Sequence, residues 1–222
     1  MLTTAADMYR YVRIGIDKSA SATVSPSEFE VHINTSMMDW VKQRYGLYDK
    51  NEQARNDLRV LTVLVTIANS GTNTPGGEIF LLPYLQSPPA GTSNGFLFAL
   101  NVGLKMPNSK CQPASGWASA RPLPRDSSYA IQRSPWSKAT DEEPYYSYTG
   151  NAMTVVTGGS FASDARVEYL RYPAPIGLNP VFQPELPGHV NQEICDMCIR
   201  KILEETESPR WQTNVQENQL KN

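Results

Sequence analysis

The chain has 222 residues, 20 basic and 22 acidic side chains, and a formal net charge of −2. Hydrophobic residues make up 40% and charged residues 19%, a globular balance that excludes disorder along the whole chain. A net charge so close to zero provides no domain-scale basic surface, which argues against a nucleic-acid-binding protein.

Cysteine usage and hydropathy indicate a protein of a reducing compartment. Cys111, Cys195 and Cys198 are too few, and odd in number, for a disulfide framework. The first residues, MLTTAADMYRYVRIGI, lack the basic and apolar regions of a secretory signal. The longest apolar stretches, residues 58–68 and 95–104, are too short or too polar to span a bilayer. We therefore expect a soluble protein, made in a cytoplasm, without a membrane partner.

Residues 1–62 predict helices. Thr3 or Thr4 can cap the first helix, which continues to Ile16. The second begins at Ser25, with Pro26 at its first position and Glu28 completing a capping box. Its apolar positions recur every four residues, with Trp40 beside them: Phe29, Ile33, Met37 and Val41. A third helix is predicted near residues 49–62.

Residues 63–180 predict a β-rich insertion domain. Strands are expected near residues 61–67, 78–85, 96–106, 145–148, 152–157 and 166–172, from their β-branched and aromatic content. Residues 69–77 and 108–138 are predicted loops, the second with one further strand near residues 129–133. Gly150-Asn151 and Gly158-Gly159 supply turn chemistry.

The C-terminal part predicts a helix followed by an extended arm. The helix covers residues 188–207, within a segment, residues 181–207, that is expected to pack on the N-terminal helices. Its apolar stripe runs through Val190, Ile194, Cys198 and Ile202. Pro209 ends it, and residues 208–222 form the arm. The predicted fold is therefore α+β: N-terminal helices and a C-terminal helix forming a helical layer, with a large loop-rich antiparallel β insertion.

The arm is polar, yet it carries spaced apolar side chains that a solvated tail would not need. We predict an assembly interface formed by Pro209, Arg210, Trp211, Val215 and Leu220. The alternative is a frayed terminus whose Trp211 folds back on its own helix.

Candidate catalytic and metal-binding groups do not form a complete set. Cys195 and Cys198, with His189 upstream, are the one metal-like cluster, but zinc usually needs four ligands, and small buried apolar residues are the simpler interpretation. His32 is the other histidine, and no G-x-S-x-G motif supplies a nucleophile. The acids of residues 141–143 are typical of a solvated surface rather than an ion site. We expect no enzyme, metal or cofactor.

Aromatic side chains of the β-rich part leave two interpretations open. They can stack on sugars, or they can fill a β core or an interface. The residues concerned are Trp117, Trp136, Tyr145, Tyr146 and Tyr148.

Several short motifs, in this order, resemble the ring or adaptor proteins of short-tailed phages, especially crAss-like phages. In the N-terminal part they are SPSEF (25–29) and WVKQRY (40–45). In the middle they are SPWSK (134–138), EPYY (143–146) and GN (150–151). At the end they are YLRYPAPI (169–176), LPGH (186–189), EI (193–194) and ESPR (207–210).

The resemblance implies a subunit of a head–tail connector ring, a dodecamer stacked beneath the portal. Such a ring continues the DNA channel and gives tail proteins a docking platform, and packaged DNA passes without specific binding. The expected location is the virion, in the tail or connector region. A ring needs side-to-side contacts and reaching arms, and a near-neutral wall suits sliding DNA. The alternative is a β-rich receptor- or carbohydrate-binding module of the same virion.

Overall fold

The computed structural model of the chain describes residues 2–17, 24–69, 72–74, 77–81, 95–106, 116–123, 134, 136–149 and 152–205. The chain divides into a helical unit, Met1–Val60 with Pro173–Asn222, and a β unit, Leu61–Tyr172. Helices at both ends of the sequence and two largely antiparallel sheets between them confirm the predicted α+β class. None of the described helices is both long and apolar enough to cross a membrane.

The described part of the helical unit contains α1 (Ala5–Asp17), α2 (Pro26–Gly46), α3 (Glu52–Leu58) and α4 (Gly188–Glu205). The predicted capping box at the start of α2 is confirmed. The Glu28 amide donates to Ser25 Oγ at 3.3 Å, and the Ser25 amide donates to Glu28 Oε2 at 2.9 Å. These bonds satisfy two backbone donors that a helix start otherwise leaves without partners.

Helix α4 packs on α1 and α2 through its apolar stripe. The α1–α4 contact is close because α1 carries a glycine there: a Cβ on Gly15 would lie 2.5 Å from Ile199 Cδ1. Tyr11 Oη donates to Asp196 Oδ1 at 3.0 Å along the same contact. The fully buried side chains of this core include Met8, Val12, Phe29, Ile33, Val41, Leu58, Val190, Ile194, Cys198 and Leu203.

Two sheets form the described part of the β unit, with strand orders β1-β9-β4-β5 and β2-β3-β8-β7-β6. Their strands are β1 (Thr62–Ala68), β2 (Thr72–Thr74), β3 (Gly77–Leu81), β4 (Phe96–Lys105), β5 (Trp117–Ser119), β6 (Arg121–Pro122), β7 (Tyr145–Thr149), β8 (Ala152–Val156) and β9 (Asp164–Arg171). The described pairings are antiparallel except β6 with β7, which is parallel.

Both sheets contribute to one apolar core. Phe80 and Met153 come from one sheet, and Val102, Leu104 and Val167 come from the other. Strand β9 alternates buried Ala165, Val167 and Tyr169 with the less buried Arg166 and Glu168, as a half-buried strand does, until Leu170, which is also fully buried. The β4–β9–β1 face opposite the core therefore presents a different set of side chains, which is considered below.

Some predicted boundaries were wrong. Strands β2, β5 and β6 lie in segments predicted as loops; they are two or three residues long, too short to show a period of two. Helix α3 ends at Leu58, and the Arg59–Leu61 turn leads directly into β1. The strand predicted near residues 129–133 lies outside the described residues.

The predicted β-rich domain, residues 63–180, extends beyond the β unit, which ends at Tyr172. Side chains of α2 hold the next segment in the helical unit. Asn34 Nδ2 donates to the Ile176 carbonyl and Asn34 Oδ1 accepts from the Ile176 amide, both at 2.8 Å. Glu30 Oε1 accepts from the Leu178 amide at 2.9 Å.

Gly158 should not tolerate a side chain. A Cβ there would lie 2.9 Å from the Asp141 nitrogen and from the Thr140 Cα. We expect Gly158→Ala to lower the free energy of unfolding by about 1–3 kcal/mol, measured by urea denaturation. The matched control is Gly46→Ala at the end of α2, where an added Cβ has no described neighbour within 4 Å. If the two variants had the same free energy of unfolding, the loop around Gly158 would have to accommodate the added methyl group without loss of stability.

Candidate functional site

Five side chains of α2, α3 and α4 form a polar cluster that we call the helix clamp: Trp40, Arg44, Asp57, His189 and Glu193. Trp40 Nε1 and Arg44 Nη2 both donate to Glu193 Oε2 at 2.8 Å. Arg44 Nε lies 3.7 Å from Asp57 Oδ2, and His189 Nε2 lies 3.1 Å from Asp57 Oδ1. The clamp therefore connects three helices through charge-assisted contacts.

Burial is uneven across the clamp. The Asp57 side chain is 5% exposed, whereas those of Glu193 and His189 are 45% and 54% exposed. A buried carboxylate is costly unless it is paired. His189 hydrogen-bonds to Asp57 Oδ1, whereas Oδ2 has no hydrogen-bond partner within the described chain and is faced by Arg44 Nε at 3.7 Å. Asp57 is thus the most buried charged side chain of the clamp.

The His189–Asp57 pair was not foreseen from the sequence, which places the two residues far apart. A carboxylate beside an imidazole is also how hydrolases orient a base, but that chemistry needs a nucleophile. Within the described chain, the His189 side chain makes a polar contact with Asp57. His32, the other histidine, lies 3.5 Å from Glu205 Oε2. The arrangement suits a structural connection between helices.

Cys195 and Cys198 are buried free thiols on α4. Burial raises the pKa of Cys198 to about 12. Burial, and then the neighbouring Cys198 and Asp196, raise the pKa of Cys195 even further. Both side chains are therefore protonated and pack as small apolar groups. Among the described residues, no group of three or more His, Cys, Asp or Glu side chains could hold a metal ion.

Glu142 and Glu143 of the acidic segment are exposed, as predicted for a solvated surface, whereas Asp141 is half-buried and hydrogen-bonded. Asp141 Oδ1 accepts from the amides of Gly158 and Ser160 at 3.0 and 3.2 Å, and Asp141 Oδ2 accepts from Ser160 Oγ at 2.6 Å. Glu143 Oε1 accepts from Arg121 Nη2 at 2.7 Å. Asp141 thus holds the loop that follows β8, a role that requires a partner distant in sequence.

The aromatic candidates do not form one platform. Tyr146 is buried in the core, and Tyr148 packs against Phe96 with ring centroids 5.3 Å apart. Trp136 is 95% exposed. Trp117 lies beside the guanidinium of Arg166, whose Cζ is 4.8 Å from the ring centroid. Tyr146 therefore fills the β core, whereas Trp117 lies on the surface of the sheet.

Exposed apolar side chains of the helical unit mark candidate contact surfaces. A groove along α1 is lined by Tyr9, Arg10, Arg13, Ile14 and Leu178, among others. The exposed apolar residues of this unit include Ile14, Val31, Leu47, Val181 and Phe182, with exposures from 37% to 79%. The predicted arm residues Pro209, Arg210, Trp211, Val215 and Leu220 lie outside the described residues.

The clamp should contribute measurably to stability. Replacing Glu193 with Ala removes the acceptor of both Trp40 and Arg44, so we expect the free energy of unfolding to fall by about 1–2 kcal/mol. Glu204→Ala, at an exposed position on the same helix, is the matched control. Unfolding curves that coincide for the two variants would show that the clamp contributes nothing.

The two α4 thiols should be unreactive while the protein is folded. In a Cys111→Ser background at pH 8, we expect disulfide-exchange reagents to react on the order of 100-fold more slowly than in urea. Because folding raises these pKa values, the thiols favour the folded state below their ordinary pKa and lose that contribution as pH rises above it. Immediate reaction in the folded state, or stoichiometric zinc in native protein, would contradict this assignment.

Comparison of the sequence with protein-family models and with curated proteins gave no match. The function proposed below therefore rests on the residues, their contacts and the order of the motifs.

Proposed function

We propose that this protein is a virion structural protein: a subunit of the head–tail connector ring of a tailed phage of the crAss-like type. The ring joins the portal to the tail and continues the DNA channel, and the subunit has no catalytic role. The observation that carries the proposal is that motifs far apart in the sequence make direct contacts in the helical unit.

Two contacts join two of these motifs directly, and a third links another motif to the same cluster through Asp57. Trp40 and Arg44, from the WVKQRY motif, donate to Glu193 of the EI motif. His189, which ends the LPGH motif, contacts Asp57 beside them. Residues whose order carries the resemblance therefore share one network, as expected if they define a common helical core rather than a chance composition.

The last residue of the YLRYPAPI motif is held in the same unit. The backbone amide and carbonyl of Ile176 both form hydrogen bonds with the side chain of Asn34. Asn34 lies between the two N-terminal motifs. The Ala174 amide donates to Glu185 Oε1 at 2.8 Å. These bonds fix an irregular, proline-containing segment whose backbone groups would otherwise lack partners.

Surface chemistry of the helical unit supports a ring. Ring formation requires two different patches on each subunit that meet side to side. Ile14 on α1, Val31 on α2 and Val181 in the segment before α4 are 48%, 64% and 79% exposed. Burial of these exposed apolar side chains against a neighbouring copy would stabilise the contact between subunits. The net charge of −2 also suits a channel wall that DNA must pass without being held.

Negative-stain microscopy of the purified protein, alone and mixed with its portal, tests the proposal. The expected result is closed rings of about twelve subunits, or such rings stacked on the portal. A matched measurement of DNA binding at low salt should find only weak, sequence-independent association. A monomer at high concentration that also leaves the portal undecorated would refute the connector function.

The arm formed by residues 208–222 is proposed to contact a neighbouring copy or the adjacent virion protein. Trp211 is its central anchor, and a buried tryptophan at an interface commonly costs ~2 kcal/mol or more on truncation. Arg210 can pair with a carboxylate across the same contact. We therefore expect deletion after Glu207, or Trp211→Ala, to prevent ring formation or docking while the monomer keeps its melting temperature.

The matched control for Trp211→Ala is Trp136→Ala, which removes a tryptophan side chain that is 95% exposed in the β unit. That variant should assemble normally. Normal assembly without residues 208–222, or unfolding of the truncated monomer, would rule out the arm.

A further inference from the structure

The face of the β1-β9-β4-β5 sheet opposite the core carries a groove, which we call the sheet groove. It is lined by one aromatic, four polar and two aliphatic side chains and by a glycine. These residues are Leu64 of β1, Asn101 and Gly103 of β4, Trp117, Ala118 and Ser119 of β5, and Arg166 and Glu168 of β9. The groove lies wholly within the β unit and has a volume of about 370 Å³.

Strand register brings these residues together. Gly103 is paired with Arg166 on one side and with Ser119 on the other, and Asn101 is paired with Glu168. The residues between them in the strands, Val102 and Val167 among others, are buried in the core. Alternation along three paired strands therefore holds the groove side chains on one rigid face.

Gly103 gives the groove its floor. A Cβ at this position would lie 3.6 Å from Trp117 Cε3, so the indole sits against the glycine backbone. Arg166 Cζ is 4.8 Å from the centroid of the same ring. Two planar groups, one aromatic and one cationic, are thus stacked in a defined position on the sheet.

The polar side chains of the groove retain hydrogen-bonding capacity. Lys105 and Asp164, an adjacent cross-strand pair, form an ion pair at 3.5 Å. In contrast, the side chains of Asn101, Arg166 and Glu168 form no hydrogen bond or ion pair with the rest of the described chain. A carboxylate, a guanidinium and an amide without hydrogen-bond or ion-pair partners among the described side chains therefore line one groove, where the guanidinium also lies over an aromatic ring.

The chemistry of the groove selects a ligand class. Carboxylate, amide and guanidinium groups each bind neighbouring hydroxyls through paired hydrogen bonds, and an indole packs against apolar C–H surfaces. Arg166 and Glu168 cancel in charge, which disfavours an anion, and the groove lacks the basic lining that a nucleic-acid strand needs. We propose that the sheet groove binds a neutral saccharide. This binding activity is additional to the connector function and does not depend on it.

Saturation-transfer NMR on the full-length protein tests the proposal. The probes are neutral trisaccharides of glucose, galactose, mannose and N-acetylglucosamine, with inorganic phosphate and a thymidine oligonucleotide as the competing ligand classes. At least one trisaccharide should bind. Trp117→Ala should weaken its binding about tenfold or more, since the platform is lost.

Two further variants make the result decisive. Glu168→Gln keeps the size of the side chain and should weaken binding with the fold intact, so it serves if Trp117→Ala is unstable. Trp136→Ala removes an exposed tryptophan outside the groove and should bind normally. Binding of no trisaccharide, binding that both groove variants retain, or groove-dependent binding of phosphate or the oligonucleotide alone overturns the proposal. Ring formation by the groove variants, seen by microscopy, separates this outcome from a failure of the connector function.

Discussion

The burial of Asp57 is the constraint on which the helical unit depends. A carboxylate that is 5% exposed needs compensation, which His189 on α4 supplies by a hydrogen bond to Oδ1 and Arg44 on α2 supplies only by its charge, 3.7 Å from Oδ2. Arg44 in turn shares Glu193 with Trp40. An apolar stripe alone would let α4 slide along α1 and α2, because dispersion and hydrophobic burial are not directional. The charged contacts define one position for it.

That position explains how a chain whose sequence carries the β unit between its helices still completes one helical unit. The N-terminal helices cover their apolar faces only when α4 returns to them, so the helical unit is completed by the last described element. Asn34 and Glu30 hold the backbone at Ile176 and Leu178 as the chain re-enters this unit. The β unit has its own core, which gives its outer surface freedom to vary.

In the β unit, alternate residues of one strand contribute to two different surfaces of the sheet, the core and the sheet groove. Along β9, Ala165 and Val167 enter the core while Arg166 and Glu168 face the sheet groove. The core and the sheet groove are thereby formed by opposite faces of the same strands, so substitutions on one face need not disturb the other. A connector subunit with a saccharide site would combine an assembly surface on helices with a binding surface on a sheet.

Local signals in the sequence determined the parts of this fold that depend on near neighbours. Ser25 and Glu28 are three residues apart, so their capping box can be predicted from the sequence alone. The alternation of apolar and polar residues at the start of β9 can be predicted in the same way. Tertiary structure decided the rest. The His189–Asp57 and Asn34–Ile176 contacts, the pairing of β5 with β4, and the meeting of Trp117, Gly103 and Arg166 all join distant segments. Such contacts depend on strand register and helix placement, which short-range propensities do not encode.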